Sequence, residues 1–191
     1  MDIRKADKSD IQEILRLIED SYTPYRDSIK DIDIPEYSYE EIHELLAESQ
    51  SDTWIVAEKG KIVGMAAGTE FGPCAYHLKM MFVLGESQHR GVGSALLESF
   101  EKRGIERHYS LLTANYLDLA NWSRLFYKKH GYREYVAEDE KTCCKLQDVN
   151  VRFLPCSDIR ILCACKKTNK KRPSSRKSFK KMVPFSSILQ C

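Results

Sequence analysis

The stretch from Met80 to Leu97 constrains this chain more than any other. Five apolar residues, Met80 to Leu84, run into a polar turn, Gly85-Glu86-Ser87-Gln88-His89-Arg90, and Gly91-Val92-Gly93-Ser94 then opens a helix. A strand that passes through glycines directly into a helix aims the helix's first N–H groups outward, before the hydrogen-bond ladder can use them. The helix dipole adds roughly half a positive charge at that end, and Arg90 adds a full one. This physics specifies a phosphate-bearing ligand without naming it. Two phosphate motifs are excluded. A dinucleotide fingerprint needs a third glycine where Leu96 stands, and a P-loop needs a lysine directly after Gly93, where Ser94 stands. The competing reading is a helix start whose glycines serve the turn alone.

The remaining pattern alternates strand and helix. Asp2–Ala6 is a short strand, and Ser9 or Asp10 is placed to cap a helix in which Ile11, Ile14, Leu15 and Ile18 recur on one face. Residues 22–37, with Pro24 and Pro35, read as an irregular polar connection, and Ser38-x-x-Glu41 as a capping box opening a helix to about Ser49. Trp54–Glu58 and Lys61–Phe71 read as strands joined by a tight turn at Lys59-Gly60, and Ala75–Leu84 as a third strand. Gly91–Arg107 reads as a helix with Leu96, Leu97 and Phe100 inward; Tyr109–Ala114 follows as strand, Leu117–His130 as helix and Tyr132–Ala137 as strand. Val149–Phe153 and Ile159–Cys165 are further strand candidates with no evident place in a sheet. The expected class is α/β, a layered domain with a mixed, mostly antiparallel sheet flanked by helices.

Val83 followed by Gln88-His89-Arg90-Gly91-Val92-Gly93 resembles the acetyl-CoA signature Q/R-x-x-G-x-G/A of the GNAT N-acetyltransferase superfamily. A second landmark follows in order: Phe126-Tyr127-Lys128-Lys129-His130-Gly131-Tyr132 is similar to the family's F/L-Y-x-x-x-G-F/Y, and Lys61-Ile62-Val63-Gly64 matches its x-I-V-G strand. The resemblance covers about residues 1–140. It implies a GNAT fold in which the strand carrying the first motif splays from the next one, so that the pantetheine arm of acetyl-CoA inserts as a pseudo-strand. Main-chain groups of Met81 and Val83, with Phe82 between them, would pair with pantetheine. The Met81 N–H would donate to the thioester carbonyl, where charge develops during amine attack. Main-chain N–H groups from His89 through Ser94, preceded by Gln88 and including Arg90, Gly91, Val92 and Gly93, would hold the pyrophosphate.

The resemblance makes Tyr127 the general acid that protonates the departing thiolate; on its own, its position after Phe126 on an amphipathic helix favours a core tyrosine. The attacking amine, with a lysine-like pKa near ~10, must lose a proton first. Histone-type relatives place a base six residues before the Val83 position, which is His77 here, and Glu70 is the rival. One departure stands out. The family's Asn seven residues before the tyrosine is Ala120 in this chain, with Asn121 one position later and Ser123 at the small-residue place. That puts the usual Asn contact to CoA in doubt, leaving Asn121 as the nearest candidate; for Asn115 a turn or cap role is expected.

Charge bears on substrate and partners. The formal net charge is +2, but the last 26 residues carry nine basic residues and no acidic one, and residues 1–165 carry 21 basic against 28 acidic residues. The expected organisation is a GNAT domain over 1–165 and a basic, unstructured tail over 166–191. An acidic body with Tyr22, Tyr25, Tyr37 and Tyr39 among Asp27, Asp31, Asp33 and Glu36 suits a cationic amine, although the same segment also reads as a solvated loop. The tail lacks the interleaved aromatics of nucleic-acid recognition, so nucleic acid is not an expected partner. No apolar run reaches the ~18 residues of a membrane span. A charged first ten residues argue against a secretory signal, and seven scattered cysteines suit reduced thiols in a cytoplasm; no metal site is expected, Cys163-x-Cys165 being the only approach to ligand spacing. The sequence thus points to an acyltransferase moving acetyl from acetyl-CoA to a primary amine of a small molecule or peptide by direct attack, as a monomer or homodimer. The alternative is a non-catalytic acyl-CoA-binding module whose basic tail meets a polyanion.

Overall fold

Capping side chains and apolar spacing set the first elements of this computed structural model, which describes residues 1–23, 36–71, 75–117, 120–134 and 161–168. Strand β1 (Asp2–Lys5) is followed by a 3-10 turn, Lys8–Asp10, that Asp7 caps, with Asp10 reciprocating to the Asp7 N–H. The cap therefore sits ahead of the expected Ser9 or Asp10. Asp10 instead forms a two-pronged pair with Arg4, both contacts 2.7 Å. Helix α1 (Ile11–Ser21) buries Ile11, Ile14, Leu17 and Ile18, with Leu15 only partly covered. Helix α2 (Tyr39–Ala47) opens on the expected capping box of Ser38 and Glu41. The expected irregular connection falls mostly on residues 24–35, outside the described residues.

Strands β2 (Ser51–Glu58) and β3 (Lys61–Phe71) form the expected hairpin, Lys59 and Gly60 both having positive φ. Strand β4 (Ala75–Val83) returns antiparallel to β3. Helix α3 (Val92–Glu106) then crosses to strand β5 (Leu111–Leu117), which lies parallel to β4, a right place for a crossover helix. Helix α4 (Asn121–Lys129), the two-residue β6 (Arg133–Glu134) and β7 (Ile161–Lys167) complete the described elements. The sheet order is β1-β2-β3-β4-β5-β7-β6, antiparallel throughout except between β4 and β5, in agreement with the expected mixed, mostly antiparallel class.

Strand β7 inserts between β5 and β6 by pairing Leu111 with Lys167 through Leu117 with Ile161. Lys166 and Lys167 are therefore sheet residues, whereas the sequence pattern assigned them to the tail. The reason is local: the Lys166 Nζ finds Glu101 at 2.9 Å and the His130 carbonyl at 3.0 Å, so its charge is matched inside the fold. The Val149–Phe153 strand, the remainder of the tail and Cys143, Cys144 and Cys156 lie outside the described residues.

The two faces of the sheet carry different helices. Phe82 meets Tyr22 at the end of α1 edge-on, ring centroids 5.7 Å apart. On the other face, a Cβ added at Gly64 would lie 2.7 Å from Val92 of α3. The C-terminal half of α3 is fixed by Asp52 of β2, whose side chain is 2% exposed. Asp52 accepts from Lys5, from Arg103 Nε at 2.9 Å and from the Tyr76 hydroxyl at 3.0 Å, and pairs with Arg107 at 3.0 Å. Burial alone would raise the Asp52 carboxyl, but Lys5, Arg103, Arg107 and Tyr76 outweigh it and hold it below its ordinary value. Among the described residues, no helix is long and apolar enough to cross a membrane.

A buried carboxylate holding three cations is costly to remove, because the cations remain. Asp52→Ala should lower unfolding free energy by roughly 3–5 kcal/mol at neutral pH in urea titrations. Because the folded-state value is depressed, this stability is present above the unfolded-state value and lost as pH falls through the folded one. The acid limb of the stability curve should accordingly be shallower in the variant. A loss below about 1 kcal/mol, typical of a surface pair, would show that the cluster is not an anchor.

Candidate functional site

Strands β4 and β5 run side by side for four residue pairs and then part. Pairing runs from Ala75 with Leu111 to Leu78 with Ala114 and stops there, although β4 continues to Val83 and β5 to Leu117. Each strand is held away by its other neighbour. Beyond the split, Met80–Val83 stay paired with β3, and Asn115–Leu117 stay paired with β7. The split coincides with a bulge. Ala67 faces Met80 while Gly68 faces Leu78, so Lys79 is an extra residue directly after the last β4–β5 pair. A bulge bends its strand and increases local twist, which turns β4 out of the path of β5. Along Met80–Val83, the edge turned to β5 has no strand beside it among the described residues, and alternate main-chain groups face the gap.

The N-terminus of α3 lies at the open end of the split. A 3-10 turn, Gly85–Ser87, follows Leu84, and Gln88 Nε2 folds back to donate to the Val83 carbonyl at 3.3 Å. His89 and Gly91 both take positive φ, 58° and 89°. The first bond of the helical ladder there is from the Ala95 N–H to the Gly91 carbonyl, 3.0 Å. The amides of Val92, Gly93 and Ser94 precede it, with no side-chain cap and no acidic residue in the first turn. Helix α2, by contrast, caps itself. Arg90 is less of a free cation than the sequence implied, since its Nη2 lies 3.0 Å from Glu58. The dipole and the amides therefore carry most of the local attraction for an anion.

Tyr127 packs against Tyr116, a β5 residue beyond the last β4–β5 pair. Tyr127 is 1% exposed and packs within an aromatic cluster of Tyr116 from β5, Phe126 and Tyr132, with centroids 6.1, 5.4 and 5.5 Å away. The core packing that its helix position suggests is present, in contact with β5 beyond the split. Asn121 is the exposed first residue of α4, while Ala120, at the family's asparagine place, is buried. Asn115 corrects an expectation: β5 runs on to Leu117, which makes Asn115 a buried mid-strand residue opposite Cys163 rather than a turn or cap.

The two base candidates are set differently. His77 stands opposite Thr113 one pair before the split, its Nδ1 2.9 Å from Thr113 Oγ1 and its ring against Phe71. Burial, with a smaller push from Lys79, lowers its pKa to about 4. Glu70 is engaged elsewhere. It pairs with Arg107 at 3.2 Å, within the ion cluster around Asp52. Distance does not separate the two: Glu70 lies four residues along β3 from Ala66, the partner of Met81, and His77 lies four residues along β4 from Met81 itself, about 13 Å each at strand rise. The structure therefore places the Gly91 turn at the open end of the split and His77 at its closed end, packs Tyr127 against Tyr116 of β5, and leaves Glu70 in the anchoring cluster. The residues that sequence reasoning missed are Lys79, whose bulge makes the split, and Thr113, which closes its vertex. Neither carries a local signal, since both act through strand register.

The sequence model of the Acetyltransferase (GNAT) domain matches residues 49–134, which span β2 to β6 and contain the whole split and turn. No curated protein matches the sequence. Among solved structures, the chain is similar to the smu.2055 protein of Streptococcus mutans UA159, with TM-score 0.67 and 20% identity over 87% of this chain and 99% of that one. It is similar to a PaiA N-acetyltransferase of Thermoplasma acidophilum in complex with coenzyme A, with TM-score 0.67 and 15% identity over 87% and 98%. A ribosomal-protein-alanine N-acetyltransferase of Brucella melitensis gives TM-score 0.63 and 18% identity over 88% and 100%. At these identities the likeness is one of fold.

Gly91→Ala forces a side chain into the left-handed region and should cost about 1–2 kcal/mol in chemical denaturation. Gly85→Ala, in open space at an ordinary φ, should cost less than half as much. Equal losses would show that the left-handed turn is not what Gly91 provides.

Proposed function

We infer that the chain belongs to the GNAT acetyltransferase superfamily, whose domain matches residues 49–134, and on that premise propose that it transfers acetyl from acetyl-CoA to a primary amine by direct attack. The observation that carries this reading is the β4–β5 split opening onto the uncapped start of α3. An extended amide-bearing arm can pair with the free edge of Met80–Val83 as a strand would, while a diphosphate meets the amides of Val92, Gly93 and Ser94. The residues present fit both parts of coenzyme A: an apolar, main-chain-lined slot for the arm and a donor-rich turn for the anion. A fold neighbour that binds coenzyme A supports the same reading.

In this proposal the Met81 N–H faces the thioester carbonyl and stabilises the charge that develops there as the amine attacks. The amine nitrogen forms a bond to the acetyl carbon, the carbon–sulfur bond breaks, and the thiolate takes a proton from Tyr127. His77 is the proposed base. It is uncharged throughout the neutral range, so it can accept a proton, and Thr113 holds its Nδ1 so that the other ring nitrogen is the one to do so. Its depressed value reduces the driving force but extends activity to lower pH. The acceptor is proposed to be an amine of a small molecule or a peptide; the name of the Brucella neighbour makes a peptide α-amine the first to try.

The test is acetyl-CoA-dependent release of free thiol against a panel of polyamines, lysine peptides and alanine-terminal peptides. Release on at least one acceptor supports the reading; coenzyme A binding with no release on any would make the protein a binding module. Tyr127→Phe should lower kcat by roughly tenfold or more, within the range for general acids, with the affinity for CoA retained. Unchanged turnover would remove Tyr127 from the mechanism. For His77 the readout is the pH–rate profile. The wild-type acidic limb should fall near the lowered value of about 4 rather than near 6.5, and His77→Ala should abolish that limb. A variant keeping it would reject His77 as base.

A further inference from the structure

The end of α4 touches the start of α3. His130 caps α4, its N–H bonded to the Tyr127 carbonyl at 3.0 Å, and its ring tilts on Phe126 at 4.7 Å. Its Nε2 lies 3.1 Å from the Oγ of Ser94, the third residue of α3. Phe126 supports the same turn, since a Cβ on Gly93 would lie 3.4 Å from its ring. The two motifs read from the sequence are thus one contact surface, and a titratable ring is hydrogen-bonded to a hydroxyl in the anion-binding turn.

We propose that His130 is a positioning residue of the diphosphate site: a proton taken up by its ring turns the Ser94 hydroxyl onto a phosphate oxygen. This rests on the acetyl-CoA reading above and goes beyond it. When the ring is neutral, Nε2 and the hydroxyl can share their bond in either direction, so the Ser94 hydrogen is available to the ring. An imidazolium can only donate. Protonation therefore fixes the direction Nε2–H to Oγ and leaves the Ser94 hydrogen for an acceptor beside the amides of Val92 and Gly93. One proton moves from solvent to the ring and one hydroxyl rotates; no covalent bond between heavy atoms changes.

The surroundings disfavour the charged ring before an anion is present. Glu101 faces it from α3, Lys129 from its own helix and Lys166 from β7, where Nζ also binds the His130 carbonyl and Glu101. Burial, then Lys129 and Lys166, hold the ring below the ordinary 6.5 against the pull of Glu101. A diphosphate at the first turn of α3 brings about two negative charges close to the ring and favours its charged form. The bound-state value then exceeds the free-state value. Binding takes up a proton, and affinity rises as pH falls through the window between the two.

The probe is CoA itself, titrated calorimetrically into the full chain at about pH 7.5 and about pH 5.8. The wild type should gain roughly two- to tenfold in affinity at the acid pH relative to His130→Asn, one order per pH unit being the ceiling for a single proton. The titration of the ligand's own phosphates is common to both proteins and cancels in that comparison. Ser94→Ala should reduce that gain by the share the hydroxyl carries while leaving His130 in place, and an unchanged gain would overturn the role of the hydroxyl. His130→Gln, with an amide for the hydroxyl, should recover part of the affinity at the higher pH but none of the acid gain. Pantetheine, which has no phosphate, should show no gain with the wild type. Binding of CoA with equal pH slopes in wild type and His130→Asn overturns this inference alone. Absence of CoA binding by the wild type at both pH values overturns the cofactor reading and the inference with it.

Discussion

Helix α3 lies on the sheet at a distance that side chains larger than hydrogen would not permit, and the anion site follows from that contact. At its N-terminal end Gly64 of β3 leaves room for Val92 and Leu96; at its C-terminal end Gly104 lets Leu112 of β5 within 2.4 Å of where a Cβ would stand. Contacts this close resist sliding, because any shift drives methyl groups into backbone. The charged anchor works at the same end as Gly104. Arg103 and Arg107 reach Asp52, and Tyr76 is stacked between Phe100 and Tyr109 beneath them. With its far end fixed and its near end seated on Gly64, α3 can only point its first turn at the open end of the split. A helix start held by its own side-chain cap would have fewer donors left to offer there.

The split is a competition between partners for each strand. Up to Leu78 and Ala114, β4 and β5 satisfy each other. Past that point β3 keeps β4 through Val83 opposite Gly64, and β7 keeps β5 through Leu117 opposite Ile161. The extra residue Lys79 lets the two sets of pairings coexist by twisting β4 where they diverge. His77 and Thr113, hydrogen-bonded across the last closed pairs, prevent the parting from running further down. The gap therefore has a defined depth, set between one bulge and one side-chain bond. In the proposed function, that depth decides which atom of an inserted arm reaches Met81.

Much of this was legible in the sequence, for reasons that differ by element. The capping box at Ser38, the Lys59-Gly60 hairpin and the apolar face of α3 are short-range signals, and the structure has them where the pattern put them. The class of sheet and the Gly91 turn followed from ordered motifs. What the pattern missed depends on register. Strand β7 was readable as a strand but not as the neighbour of β5, since nothing local in Ile161–Lys167 names its partner. Asn115 looked like a strand end because the apolar run stops near Ala114, yet pairing with β7 carries β5 on to Leu117. Glu70 looked available as a base; Arg107, 37 residues away in sequence, claims it. The bulge at Lys79 exists only in the pairing with β3.

Register also changes the meaning of the charge pattern. An acidic body is a poor host for a polyanionic cofactor, and the sequence offered Arg90 and His89 as local compensation. The structure pairs Arg90 with Glu58 and leaves His89 exposed in a left-handed turn. Attraction for an anion then has to come from oriented amides, which carry no net charge and so do not alter the balance of the body. Cations close to the site are drawn instead from what looked like the tail. Lys166, brought in by β7, sits against Glu101 and the end of α4, next to His130 and within reach of the turn through Ser94. The boundary between acidic body and basic tail is therefore a seam inside the fold, and the part of the positive charge that crosses it is the part that neighbours the site.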